Sequence, residues 1–99
     1  IPARGVYITR TTDTGDGRVW DSITNIGFRP TFGGKERTIE TFLLSPFDGE
    51  TPKRIRLEFL RHVREERKFD SPEALKKQII SDAGRANTYF RRRKRLVTP

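Results

Sequence analysis

Between Gly5 and Leu60 the chain holds four short stretches of β-forming residues bounded by turn-forming residues, and in the first and the fourth apolar residues fall at every second position. Gly5 to Thr11 sets Val6 and Ile8 against Tyr7 and Thr9. Arg18 to Asn25, Thr38 to Leu44 and Arg54 to Leu60 follow, and His62 and Val63 can extend the last. The connectors TDTGDG and SPFDGETPK are rich in the Gly, Pro and Asp residues that close hairpins. From Ser71 the apolar period lengthens to about 3.6 residues. Ser71 is placed as an N-cap, Pro72 fits the first helical position and Glu73 suits the positive end of the dipole. Leu75, Ile79, Ala83, Ala86 and Phe90 then make one stripe. Hairpin-linked strands followed by such a helix predict an all-β antiparallel sheet or small barrel closed by a C-terminal helix.

Composition narrows the picture. Ninety-nine residues suit one domain, and with 32% hydrophobic against 34% charged residues its core must be compact. Cysteine is absent, which excludes disulfides and thiolate metal sites. No apolar run approaches the length of a membrane span. The chain opens on Ile1-Pro2 and contains no methionine, which reads as a piece of a longer polypeptide. The net charge of +8 is unevenly spread. Residues 85–99 carry six basic groups and no acidic one, whereas residues 1–84 hold fifteen basic against thirteen acidic groups. Residues 91–99 therefore read as a basic tail behind a module of residues 1–90, more simply a solvated helix end than a nucleic-acid surface.

Three features bear on chemistry. Glu40 interrupts the run TIETFLL, in which Ile39, Thr41 and Leu43 share one face and Thr38, Glu40, Phe42 and Leu44 the other. Both faces are mostly apolar, so partial cover of the carboxylate is expected. A carboxylate in such a cleft could accept a proton from a substrate hydroxyl, and an edge-strand glutamate facing water or paired with a cation is the alternative. The segment IGFRPTFGG, Ile26 to Gly34, reads as a glycine-hinged loop that can close on a ligand or merely connect. It has neither dinucleotide-fingerprint nor P-loop spacing. His62 is the only histidine, which rules out a multi-histidine metal site, and Trp20 reads as core. Arg61 to Ser71 reads on composition as a charged surface bend.

Taken together, GVYITR, TNIGFRPTFGG, TIETFLL and RIRLEFLRHVREERKFDSPEALKKQI resemble, in order and spacing, the riboflavin kinase module. That module is commonly the C-terminal half of bacterial bifunctional riboflavin kinase/FMN adenylyltransferase (FAD synthetase). The resemblance implies a six-stranded antiparallel Greek-key barrel with the helix packed across it. It implies transfer of the ATP γ-phosphoryl group to the 5′-hydroxyl of riboflavin to give FMN, with Mg²⁺, in the cytoplasm. By motif match Glu40 becomes the catalytic base. Asn25, Gly27, Arg29 and Thr31 belong to the active-site loop. Arg64, Glu66, Phe69 and Asp70 fall on the positions of a flavin-covering loop, with Glu65 replacing its usual proline; Arg64, Phe69 and Asp70 are the flavin-binding candidates. The family's glycine-rich loop and Pro-Thr-x-Asn motif, which hold ATP and Mg²⁺, should precede Ile1 together with the first strand or two. No metal ligand is therefore expected in these residues, and a covalent adenylyltransferase domain is the expected partner, with no membrane and no main nucleic-acid role. The rival readings are a flavin-binding module without catalysis and a small RNA-binding barrel.

Overall fold

The structure, a computed structural model, describes residues 2–46 and 49–97, with side chains through residue 94. Its elements are β1 (Gly5–Asp13), β2 (Val19–Thr31), β3 (Gly34–Leu43), β4 (Ile55–Arg64) and α1 (Pro72–Val97). Among the described residues no helix is long and apolar enough to cross a membrane.

The four strands form one antiparallel sheet in the order β3-β2-β1-β4. Three consecutive strands joined by hairpins, with the fourth returning beside the first, is Greek-key order. The six strands implied by the resemblance are not present: the described residues supply four. The consequence is visible at β3, which forms one edge of the sheet. Ile26 is completely buried, while its register partner Ile39 on β3 is 48% exposed. The same apolar row is sealed at its centre and open at its rim.

One face of the sheet is unusually polar. Thr11 Oγ1, Ser22 Oγ, Thr9 Oγ1, Thr24 Oγ1 and Thr41 Oγ1 form a continuous chain of hydroxyls with successive separations of 2.8, 2.7, 2.9 and 2.9 Å. Thr9, Ser22 and Thr24 have no exposed surface, so each hydroxyl is satisfied by its cross-strand neighbours. Tyr7, Trp20 and Ile26 are buried among the residues of this face, and Trp20 is core as its sequence position implies. Val6, Ile8 and Ile23 are buried on the opposite face.

The segment Ile26 to Gly34 is corrected from a loop to a strand. The last register pair between β2 and β1 is Ile26 with Gly5, and β2 continues to Thr31 paired with β3 alone. Pro30 is tolerated there because no strand lies on its other side. Phe32-Gly33 closes the hairpin, with Gly33 at φ 90, the backbone that the third position of a type II turn requires. Every residue from 28 to 37 is exposed, so the hairpin ends in a two-stranded arm. Elsewhere β4 extends through His62 and Val63 as the alternation allowed.

The chain divides into two compact units, Ile1–Glu66 and Arg67–Pro99. In the second unit Ser71 caps α1, its Oγ accepting from Ala74 N–H at 3.1 Å. Ala86 and Phe90 of the apolar stripe are buried, whereas Leu75 and Ile79 are exposed. The basic run from Arg91, read from sequence as a tail, continues the helix to Val97.

Candidate active site

Pairing of β2 with β3 places Asn25 directly opposite Glu40, with Ile23 opposite Phe42 and Gly27 opposite Thr38 on the same face. Glu40 is exposed, which corrects the expected partial cover. The reason is topological: β3 is an edge strand, and no further strand among the described residues shields its outer side. Of the two alternatives, the edge-strand glutamate facing water is the arrangement seen, and no ion pair to Glu40 occurs among the described salt bridges. Its carboxylate is accessible and uncommitted.

Asn25 is the complementary case. Its Oδ1 is a buried side-chain acceptor with no hydrogen-bond donor, the one such atom among the described residues. Leaving an acceptor in that condition costs about 1–3 kcal/mol. Two residues on, Gly27 has a physical reason to be glycine. A Cβ there would overlap the Glu66 carboxylate, whose Cδ lies 2.8 Å from that position, with Thr38 Oγ1 at 3.4 Å. Glu66 follows β4 and is held loosely by Arg4, Nη1 to Oε1 at 4.0 Å. From sequence Glu66 was a loop position without an assigned contact; the side-chain-free position at Gly27 is the signal that something packs over it.

The remaining candidates are dispersed. Register sets Arg64, Val6, Asn25 and Glu40 in one row across the sheet. Three strand spacings separate Arg64 from Glu40, about 14 Å, so they do not touch directly. Arg64 donates to Glu65 O at 3.1 Å. Arg29 lies on the exposed arm in an ion pair with Glu36 at 2.9 Å. Thr31 ends that strand, six residues beyond Asn25 and therefore about 20 Å away. The arm does not fold back on Glu40 as a closing loop would; its Phe28 instead contacts the guanidinium groups of Arg4 and Arg37, at 5.4 and 5.5 Å. Phe69 and Asp70 belong to the second unit, where the Arg67 guanidinium lies 5.0 Å from the Phe69 ring and Asp70 is exposed. His62, exposed near the end of β4, packs edge-on against Tyr7 at 5.0 Å.

A cavity of about 780 Å³ lies at the opposite end of the sheet, between the β1–β2 turn and residues 49–54. It begins near Val19, some six residues or roughly 20 Å along β2 from Asn25. Arg18 ties this end together through Asp13 at 3.2 Å, Asp16 at 2.6 Å and Glu50 O at 2.9 Å. The Gly15 N–H donates to Asp13 at 2.7 Å and, with Arg18, holds that carboxyl below the usual aspartate range despite burial.

No cluster of three or more His, Cys, Asp or Glu side chains occurs among the described residues. Glu40 and Glu66 alone do not make a magnesium site, which calls for near-octahedral oxygen coordination. These residues do not fit a resident metal, and no chemical step is routed through one.

An accessible carboxylate set against an unmatched carboxamide, on a Greek-key sheet followed by a helix, marks a small β module with a polar site on one sheet edge. Residues 1–90 match the profile of the riboflavin kinase family, Flavokinase. The bifunctional riboflavin kinase/FMN adenylyltransferase of Pseudomonas fluorescens is 39% identical over 88 residues, covering 87% of this chain and 27% of that protein. Its counterpart in Bacillus subtilis is 31% identical over 93 residues, covering 91% of this chain and 29% of that protein. A crystal structure described as a macrolide-efflux protein from Streptococcus pneumoniae superposes with a TM-score of 0.75 at 23% identity, over 88% of this chain and 28% of that one, a likeness of fold. The chain belongs to the riboflavin kinase family. It spans under a third of the length of the curated relatives named above.

Proposed function

We propose that residues 1–90 form the riboflavin kinase module of a larger protein, which transfers the γ-phosphoryl group of ATP to the 5′-hydroxyl of riboflavin. The observation that carries this reading is the Asn25–Glu40 pair, which joins the two family motifs NIGFRPTF and IETFLL across one register position. Glu40 takes the hydroxyl proton as the ribityl oxygen attacks phosphorus. The new O–P bond forms while the bond to the β-phosphate oxygen breaks, and ADP leaves. Because phosphoryl transfer depends mostly on positioning and charge neutralisation, the base supplies only part of the rate. Asn25 Oδ1 offers an acceptor to a substrate hydroxyl once the site closes, which would match the one atom that has no partner without ligand.

The finer architecture follows the same logic. A further strand laid along β3 would cover Ile39 and Phe42, both about half exposed, and close the sheet toward a six-stranded barrel. On this reading the groups that hold ATP and Mg²⁺ lie in other residues of the larger protein, in keeping with the lack of a metal-binding cluster of acidic or histidine side chains among the described residues. An N-terminal adenylyltransferase domain is the natural companion, because both bifunctional relatives carry that activity in their names. We assign the module to the cytoplasm on the same family reading. Arg64, Phe69 and Asp70 are assigned to the flavin through their motif positions.

The test is Glu40→Gln in the full-length protein. Turnover should fall on the order of 10²–10⁴-fold while riboflavin affinity stays within about twofold. Parallel losses of affinity and melting temperature would make Glu40 a structural residue.

A further inference from the structure

α1 gives the basic run a geometry that a disordered tail lacks. From residue 74 to residue 97 it contains one acidic side chain, Asp82, which is buried and accepts from Gln78 at 3.0 Å. The exposed cations are Lys76, Lys77, Arg85, Arg91, Arg92 and Lys94. At about 100° per residue, Lys77, Arg85, Arg91 and Arg92 lie within an arc of roughly 120°, and at about 1.5 Å per residue they span some 22 Å. Lys76 and Lys94 flank that arc. Between the cations the arc holds Ser81, Gly84 and Thr88, which are small and polar. Nothing lies within 4 Å of where a Cβ on Gly84 would stand, so backbone is bare at the centre of the face.

We infer that this face of α1 docks the phosphate backbone of a nucleic acid. Glu73 is the one exposed carboxylate on the described part of this face, confined to the first turn four residues before Lys77. Beyond it the face carries only cations, which complement a polyanion, and guanidinium groups match phosphate oxygens through paired N–H donors. The bare centre at Gly84 admits close approach of a phosphodiester strand. An anionic bilayer fits less well, because interfacial helices set large apolar residues beneath their cations. Among the residues whose side chains are described, Ile80 is the large apolar residue beside the arc, and Ser81, Gly84 and Thr88 offer nothing to insert. Such binding is independent of sequence and of the kinase site, and it lies in the micromolar range or weaker at physiological salt.

The experiment measures fluorescence anisotropy of labelled single-stranded RNA and of an RNA and a DNA duplex, roughly 20 nucleotides long, between about 50 and 200 mM salt. Arg85→Gln/Arg91→Gln/Arg92→Gln is compared with the parent chain and with Lys35→Gln/Arg37→Gln on the β2–β3 arm. Glutamine keeps helix propensity, and circular dichroism verifies it. The triple variant should lower the slope of log affinity against log salt by about 2–3, the arm variant leaving it unchanged. Comparison of the three probes identifies which nucleic acid the face prefers. The proposal is overturned by no binding at the lowest salt, by an unchanged slope in the triple variant, by an equal loss in the arm variant, or by tighter binding to phosphatidylserine vesicles than to any nucleic acid.

Discussion

Asn25 carries a buried acceptor that no donor reaches, and it does so directly across from an accessible carboxylate. Such an atom is a stability cost kept for another reason, and the substrate is the reason offered here. Asn25→Val removes the orphan and places a β-branched residue in a strand. The variant should therefore melt higher, by about 1–2 kcal/mol of stability, while kinase turnover falls tenfold or more. A lower melting temperature would show that the carboxamide supports the sheet. Asp13 gives the pH dependence. Its carboxyl titrates below its ordinary value because Gly15 N–H and Arg18 favour the ionised form. A folded-state value below the unfolded one contributes stability above the unfolded value, about 3.9, and loses it as pH falls through the folded one. Denaturant titrations should show stability declining below about pH 4, and Asp13→Asn should flatten that decline. Motif position made Glu40 legible in the sequence, but its exposure was not. Alternation reports which face a residue occupies, not whether its strand lies at the edge or the centre of a sheet. The Glu66–Gly27 contact joins residues 39 positions apart and leaves only a missing side chain as its trace.

The elements were read well where local chemistry decides them. Ser71 and Pro72 begin α1 where capping rules place it, and the four strands occur where alternation indicated. The β2–β3 hairpin was the exception. Three glycines and a proline suggested a loop, yet Gly33 alone takes a turn conformation there, Gly27 sits within β2 where a Cβ would overlap Glu66, and Pro30 is harmless on a strand with one free side. Nor does sequence pattern show that Thr9, Thr11, Ser22, Thr24 and Thr41 meet, because threonine alternates as well outside as inside. Thr24 is the junction of that chain, bonded to both Thr9 and Thr41. Thr24→Val keeps the shape and deprives both neighbours, so it should cost about 1–3 kcal/mol in urea unfolding, whereas Thr31→Val on the exposed arm should cost far less. Equal effects would mean that the hydroxyl chain contributes nothing beyond packing.

At the scale of the whole molecule, four strands in Greek-key order leave Ile39 and Phe42 exposed on β3, and the motifs NIGFRPTF and IETFLL pair along that same edge. An open rim and an accessible base coincide because both await material that these 99 residues do not supply, on the reading proposed above. Topology was legible only through the resemblance: periodicity gives strands, while their order depends on contacts distant in sequence. The central claim is that the site around Glu40 receives riboflavin beside a magnesium nucleotide. It is tested most directly by titrating riboflavin into the full-length protein and following quenching of flavin fluorescence, with and without Mg-ADP. Saturable quenching that tightens when Mg-ADP is present is the expected result. No quenching from a folded sample, under either condition, would contradict the account.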